Sequence, residues 1–466
     1  MAVSEIAPIA PLTDEQRLTV RPEDYGLLTD LYQLTMSACY IGEGLETERG
    51  SFELFARKLP PGFGYAIAFG LETAIDYLEN LRFTPSQLQE LRETGIFSQT
   101  SDRIWDVLAN FRFQGDVWAV PEGAVVFPHE PLLRIEAPLW QAQLLESYLL
   151  NVVNYQTLVG TRAARIRDVA GDRALLLEFG TRRAFSPQAS LYAARAALAA
   201  GFDSTSNVLA AFKLGRKPTG TMAHSFIQAL VAMEGSEANA FTAFHHHFPG
   251  APLLIDTFDT VAAARYLANR LEGDEIELHG VRIDSGDIVA LSQEVRSHLP
   301  EVPIFASGDM DEWEIARLLG EGATLDGYGI GTKLVSGEPF NGVYKLVEVD
   351  GIPVMKKSSG KSTYPGRKQI FRRIEGGQWR GDRLGLADES PQPGEEPLLQ
   401  RIIINGDRQQ PLDSLETLSK RTRDNVMQLP GEVRDIHHPQ VPNVEISQAL
   451  TSLRDRVSQD LTQSSV

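Results

Sequence analysis

His224 is the residue whose type and setting point most directly to chemistry. It stands in PTGTMAHSF, a loop of threonine, glycine and serine at the start of a helical pattern. An imidazole that is neutral near physiological pH is a nucleophile. It can carry a phosphoryl group when a carboxylate or carbonyl orients its second nitrogen. Asp256 and Asp259 in LIDTFDT, and Asp284 and Asp287 in VRIDSGD, lie in later loops. They are of the type to orient such a ring, or to hold Mg2+ through one or two carboxylates. FGTRRA, SGDMDE and GIGTKL together add arginine, whose planar fork suits phosphate or carboxylate, and glycine, which lets backbone N–H groups approach an anion. Taken alone, His224 is as well read as a hydrogen-bonded histidine ordering its loop, and each loop as an ordinary strand-to-helix turn.

The order of the surrounding elements gives these loops joint weight. Between residues 139 and 340 a short apolar strand repeatedly ends in a small, polar or charged loop followed by a helix. The units read ALLLE into FGTRRA, an undefined strand into GTMAHS, PLLI into DTFDT, LHGVRI into DSGD, VPIFA into SGDMD, and LDGYG into IGTK. Helical patterns alternate with them, among them SPQASLYAARAALAA, TVAAARYLANRLEG and DEWEIARLLGEG. Such alternation implies parallel strands joined by right-handed crossovers. In a β/α barrel the loops after the strands gather on one face. Ser186 with Pro187 forms a helix-start signal, Gly201 sits just past that helix, and Asp287 and Asp311 are suited to cap the helices after their loops. The expectation is an α/β chain with an irregular β/α barrel over 139–340 and a phosphate-ligand site at its mouth.

The flanks differ. Residues 25–138 open with a helical LLTDLYQLTMSACY and end in strand-like segments. Residues 341–454 return to hairpins, with Asp350-Gly351 and Gly376-Gly377 as turn signals. The two flanks are expected to pack together as one discontinuous α/β domain around the barrel. The last stretch reads as proline-rich and helix-poor with a short final helix, and 1–24 and 455–466 read as tails.

Other classes are disfavoured. Cys39 is the only cysteine, which excludes an intramolecular disulfide and a multi-cysteine zinc site. The formal charge of −18 argues against a broad nucleic-acid surface, although a local arginine cluster can still hold a small anion. No apolar run approaches a membrane span, and the first residues lack a secretory pattern; a cytoplasmic location is expected. MKKSSGKS at 355–362 lacks the first glycine of a P-loop, and GYGIGTKL lacks the third glycine of a dinucleotide fingerprint. His245, His246 and His247 are adjacent in a helical pattern, so they point in different directions and do not form a metal site. His437 and His438 have no metal-ligand spacing.

With these motifs in order, the chain resembles the nicotinate phosphoribosyltransferases from end to end. The resemblance is carried by LLTDLYQLTM, EFGTRRA, GFDSTSN, GTMAHSF, LIDTFDT, VRIDSGD, SGDMDE, GIGTKL, GVYKLVEVDG, KSSGKSTYPGRKQIFR and GEVRDIH. It implies a type II phosphoribosyltransferase barrel with a second α/β domain, in a homodimer whose active sites lie near the subunit contact. It implies a reaction of nicotinate, phosphoribosyl pyrophosphate and ATP that gives nicotinate mononucleotide, pyrophosphate, ADP and phosphate, with Mg2+.

Residue roles follow from the same resemblance. His224 is the phosphorylated residue, and Asp256 and Asp284 are catalytic, as Mg2+ or ribose groups. Tyr32 packs on the pyridine ring. Gly180 and Arg182 contact ligand, and Arg182 or Arg183 meets either the nicotinate carboxylate or pyrophosphate. Thr221 and Arg282 are nicotinate contacts. Ser307, Gly308, Gly331 and Thr332 cradle the ribose 5-phosphate. Lys361, Arg367 and Lys368 belong to a basic loop able to close over pyrophosphate or ATP, or simply to a solvated charged loop. The nearest rivals are an enzyme acting on nicotinamide, a quinolinate-type enzyme and a non-catalytic phosphate-ligand sensor. A second arginine in FGTRRA favours a carboxylate substrate over a neutral amide.

Overall fold

A computed structural model of the chain describes residues 18–273, 276–358 and 361–464. Its centre is a six-stranded parallel sheet. In chain order the strands are β1 Leu175–Glu178, β2 Ser204–Thr205, β3 Leu253–Leu254, β4 Val281–Ile283, β5 Ile304–Gly308 and β6 Gly327–Ile330. They lie in the spatial order β2-β1-β6-β5-β4-β3, every pairing parallel. The edge strands β2 and β3 do not pair with each other among the described residues. Between them runs the segment read from sequence as an undefined strand. Its Thr219 N–H donates to Thr205 O at 2.9 Å, and Thr221 Oγ1 donates to Pro252 O at 2.5 Å. The gap is thus spanned by single hydrogen bonds, because the glycine- and proline-containing stretch does not supply a ladder.

The helices around this sheet are α1 Glu146–Ala170, α2 Pro187–Ala199, α3 Val208–Lys213, α4 His224–Glu234, α5 Glu237–His247, α6 Thr260–Glu272, α7 Ile288–His298, α8 Glu312–Gly320 and α9 Thr332–Val335. Ser186, Asp259, Asp287 and Asp311 accept from the N–H groups of Ala189, Ala262, Ala290 and Glu314. Each cap satisfies a donor that the helix itself leaves open. Because the caps sit at the loop ends of the strands, the same residues that start the helices fix the rim of the site. Buried Leu254, Ile255, Val281, Ile283, Ile304, Ala306 and Tyr328 form the core beneath it.

The flanking zones share a seven-stranded sheet. It holds Arg49–Ala56, Asp116–Ala119 and Pro131–Pro138 from the first zone, and Gly342–Val349, Ile352–Pro353, Gln400–Ile404 and Asp407–Arg408 from the last. Asp350 and Gly351 both have positive φ, as a two-residue hairpin turn requires. Gly376 and Gly377 turn the hairpin Lys368–Glu375 to Gln378–Leu386 in the same way. The C-terminal end departs from the sequence reading. Helix Leu415–Met427 precedes a 17-residue helix, Gln448–Ser464, where a short helix and a tail from 455 were expected. Leu450 and Leu453 bury one side of that last helix, and Ser447 Oγ caps it by accepting from Leu450 N–H at 3.1 Å. The Ser/Gln-rich composition hid this spacing. At the other end, Pro22–Asp24 form a 3-10 turn inside the stretch read as a tail; residues 1–17 of that stretch lie outside the described residues.

Candidate active site

The ladder register brings the strand ends level. Leu254 lies beside Arg282, Ile283 beside Ala306, Gly308 beside Ile330, and Ile330 beside Glu178. Each strand therefore releases its loop at the same height, and the loops meet at one mouth.

His224 opens α4 at that mouth. Its Nδ1 lies 3.0 Å from Thr257 Oγ1. Its Nε2 lies 3.9 Å from both Asp256 Oδ1 and Asp284 Oδ2. The ring is about one-third exposed, whereas the Asp256 side chain is 2% exposed. Asp256 Oδ2 accepts from the Asp284 N–H at 2.9 Å and from Ser285 Oγ at 2.7 Å, while Oδ1 has no hydrogen-bond partner among the described residues. A buried carboxylate oxygen left open in this way is costly unless something arrives to meet it.

Arg282 links this pair to the next strand. Its guanidinium donates to Asp284 Oδ1 at 3.3 Å, to Ser307 Oγ at 3.1 Å and to Met222 O at 2.8 Å. Its Nε is buried without a partner among the described residues. Burial pulls its pKa down, and Asp284 and Asp256 oppose that; an arginine keeps its charge regardless. Ser307 Oγ also hydrogen-bonds Asp284. Glu237, at the start of α5, is pushed up to about 7 by burial and by the like charges of Asp259 and Asp256.

Beneath the rim lies a narrow slot lined by Phe179, Thr219, Thr221, Arg282, Phe305 and Gly329 among others. A Cβ on Gly329 would stand 2.5 Å from the Phe179 ring, so that ring can lie across β6 only because position 329 is glycine. The slot is mostly apolar, with one cation in its wall.

The structure thus gathers His224, Asp256, Asp284, Arg282 and Ser307 into one connected cluster, with Thr221 in the slot below. Gly308, with φ +114 and Asp284 O 3.0 Å from where a Cβ would stand, tightens the turn beside it. Gly331 directly follows β6 and Thr332 opens α9. Gly180 and exposed Arg182 lie on the loop after β1, and the Arg182 charge acts on Arg282. Tyr32 is not brought in. It sits on helix Leu31–Gly42, half exposed, with its hydroxyl on Glu146 Oε2 at 3.2 Å. There it borders a separate cleft of about 430 Å³ with Tyr155, Phe185 and Phe340.

The basic-loop reading is corrected in part. Lys368 is buried on Glu53 at 2.9 Å, and Arg367 pairs with Glu348 at 2.9 Å and Glu136 at 3.3 Å. Both are tied to acids on strands of the seven-stranded sheet; the Lys361 side chain lies outside the described residues. The histidine trio occupies the last turn of α5, and no group of three or more His, Cys, Asp or Glu among the described residues is arranged to hold a metal by itself.

Sequence reasoning passed over Phe179, Thr219, Thr257, Ser285 and Phe305. Phe179 was within reach: Leu177 and Phe179 alternate with Glu178, so period two puts both on the slot side. Thr257 and Ser285 gave no signal beyond adjacency to the aspartates. A second cleft, about 360 Å³, opens at the opposite ends of the strands. Its Arg167, Arg423 and Arg434 are each matched to Asp203, Asp172 and Asp168, which leaves no cation over for a ligand.

Known proteins match this arrangement along the chain. The model of the nicotinate phosphoribosyltransferase N-terminal domain matches residues 27–154, that of the nicotinate phosphoribosyltransferase family residues 174–373, and that of the C-terminal domain residues 395–454. The chain is similar to a nicotinate phosphoribosyltransferase of Mycobacterium tuberculosis, 42% identical over 431 residues and covering 90% of each chain. It is also 42% identical over 388 residues to one from Bacillus subtilis, covering 79% of this chain and 78% of that one. Among solved structures, human nicotinic acid phosphoribosyltransferase superposes with a TM-score of 0.81 at 31% identity, over 92% of this chain and 99% of that one. A nicotinate-nucleotide pyrophosphorylase from Pyrococcus furiosus gives 0.72 at 25% identity, over 89% and 98%.

Proposed function

We propose a reaction course for this chain, which belongs to the nicotinate phosphoribosyltransferase family. It is an enzyme that joins nicotinate to the ribose of phosphoribosyl pyrophosphate, a step of NAD biosynthesis. The observation that carries the proposed course is the setting of His224, with a hydroxyl on one ring nitrogen and two carboxylates facing the other.

Nicotinate lies in the slot between Phe179 and Phe305, and its carboxylate meets Arg282, whose Nε is the open donor. Thr221 borders the same slot. The pyridine nitrogen carries no proton at neutral pH, so no general base is required. Its lone pair forms the bond to the anomeric carbon while the bond to pyrophosphate breaks. Positive charge grows on the ribose and negative charge on the leaving group. Fixed donors act on that developing charge, the electrostatic form of catalysis. Arg182 and Arg183 at the rim meet either pyrophosphate or the nicotinate carboxylate. Ser307, Gly308, Gly331 and Thr332 hold the 5-phosphate. Asp256 and Asp284 fit Mg2+, since one offers an open, buried oxygen; when bound, the ion would neutralise charge on pyrophosphate.

ATP charges His224. The two carboxylates that face Nε2 at 3.9 Å repel a phosphate there, which leaves Nδ1 as the nucleophile. Its lone pair attacks the γ-phosphorus, ADP departs, and water later returns the phosphoryl group as phosphate. Coupling requires the two states of His224 to differ in substrate affinity. Tyr32, half exposed and remote from the slot of its own chain, acts across the contact of a homodimer. Exposed Phe185, in the cleft beside Tyr32, and exposed Phe212 supply apolar surface for such a contact. A cytoplasmic location agrees with the absence, among the described residues, of any helix long and apolar enough to cross a membrane.

The test mixes the protein with phosphoribosyl pyrophosphate, Mg2+ and either nicotinate or nicotinamide, with and without ATP, and reads the mononucleotide by mass and ADP by coupled assay. Nicotinate mononucleotide with ATP stimulation is expected. His224→Ala should keep weak, ATP-independent turnover and release no ADP. Full coupling in that variant would remove the phosphocarrier role, and product from nicotinamide alone would overturn the substrate.

A further inference from the structure

Glu178 is the last residue of β1, and it is wholly buried. Its neighbours Leu177 and Phe179 face the slot, so its own side chain points to the other side of the strand. It does not touch the slot. Both of its oxygens are engaged by neutral donors. Oε1 accepts from the Gly180 N–H at 2.5 Å, and Oε2 accepts from Thr205 Oγ1 at 2.5 Å. A buried carboxyl held only by neutral groups is expensive, and burial pushes its pKa up. A position that served packing alone would be filled more cheaply by an apolar residue.

The two hydrogen bonds lead to two parts of the rim. Gly180 O accepts from the N–H groups of Arg183 at 2.8 Å and Ala184 at 3.1 Å. The turn carrying Arg182 and Arg183 therefore hangs from the residue whose N–H Glu178 holds. The approach is close: a Cβ at Gly180 would lie 2.8 Å from Glu178 Oε1 and would overlap Val335. On the other side, Thr205 Oγ1 accepts from the Asn207 N–H at 3.0 Å, and Asn207 Oδ1 caps α3 at Ala210 N–H, 3.0 Å. One carboxyl thus sets the loop after β1 relative to the loop after β2. The side chains of Arg182 and Arg183 make no hydrogen bond or ion pair among the described residues, so the turn is what aims them.

We propose that Glu178 is a positioning residue that holds the Arg182 turn in its ligand-binding place by the reach of its carboxyl. This rests on the reading of Arg182 as an anion contact.

Four variants of the full chain test it: Glu178→Gln, Glu178→Asp, Arg182→Ala and the double variant Glu178→Asp/Arg182→Ala. Each is followed by thermal unfolding and by kcat and KM for both substrates. Glu178→Gln keeps the length, an oxygen for Gly180 and a donor for Thr205, and should restore most of kcat/KM. Glu178→Asp keeps the charge but withdraws by one methylene. It should lose ~10- to 100-fold in kcat/KM, as a misplacement of about 1 Å does. The loss should fall mainly on the KM of the anion that Arg182 meets, with the other KM moving less. In the Glu178→Asp background, Arg182→Ala should then cost no more than about twofold, the scatter within which independent changes add. Equal losses from Arg182→Ala in both backgrounds would overturn the positioning role and leave Arg182 as a ligand contact. No loss from Arg182→Ala in the native background would remove the Arg182 reading, and the proposal with it. Should Glu178→Asp fail to fold, Gly180→Ala, whose Cβ would overlap Val335 and crowd Glu178 Oε1, displaces the same turn and takes its place in the cycle.

Discussion

Replacing Arg282 by lysine separates substrate recognition from site architecture. The guanidinium makes three contacts to fixed protein groups, Asp284, Ser307 and Met222 O, and its Nε has no hydrogen-bond partner among the described residues. Lysine retains the charge, but its ammonium is a single point that cannot serve the three contacts and the ligand together. A hydrogen bond to a charged group contributes about 1.5–3 kcal/mol. Losing one at the nicotinate carboxylate therefore costs about 2 kcal/mol, which is ~30-fold in kcat/KM. A neutral amide gains less from the same donor, so nicotinamide should lose less and the preference for nicotinate should shrink by a similar factor. Steady-state kinetics with each pyridine at saturating phosphoribosyl pyrophosphate measures this. An equal fall for nicotinate and nicotinamide would refute the reasoning and assign Arg282 to holding Asp284 and Ser307. An unchanged kcat/KM would refute both.

Two further predictions concern stability. Glu130 is wholly buried, one oxygen accepting from Phe127 N–H at 2.8 Å and the other without a hydrogen-bond partner among the described residues. Burial first, then the Asp382 charge, raises its pKa well above the usual carboxylate range. The folded chain therefore binds a proton that the unfolded chain has released. Its contribution is full below a pH of about 4.5 and declines as pH rises from there toward the folded pKa. Glu130→Gln should remove that decline and raise the melting temperature more at pH 8 than at pH 5; the opposite ordering would contradict the assignment. Arg165 and Glu312 form a buried pair at 2.9 Å, and the two terminal nitrogens of Arg165 have no hydrogen-bond partner among the described residues. Glu312→Ala strands that cation and should cost about 3–5 kcal/mol in chemical denaturation; a loss within the range of a surface change would show that the charge is relieved elsewhere.

The parallel sheet and the mouth at its strand ends were legible because their signals are local. A strand end, a capping aspartate and a glycine turn can each be read within a few residues, and Asp256, Asp284 and His224 each stood in such a segment. Residues whose role depends on partners far along the chain were harder to read. Lys368 looked like part of a mobile basic loop, yet it reaches Glu53 across 315 residues, a pairing that only the sheet reveals. The last helix was missed because Ser and Gln dilute its apolar spacing, although Leu450 and Leu453 carry it. Tyr32 was read from the family resemblance, and the fold places it in a separate cleft.

The same contrast explains how a chain of formal charge −18 can hold anions. At the far ends of the strands Arg167, Arg423 and Arg434 are each neutralised by an aspartate. At the mouth, Arg282 shares one aspartate and otherwise meets neutral oxygens, and Arg182 and Arg183 meet no acid among the described residues. The composition sets the average field, but a ligand responds to unmatched cations within a few ångströms and to the low-dielectric walls around them. Adding an acid beside Arg182 should therefore weaken substrate binding far more than the same charge placed at the opposite cleft, although both changes alter the net charge equally. Anion affinity in this fold follows from where arginines are left unpaired, and the strand-end loops are where the chain leaves them so.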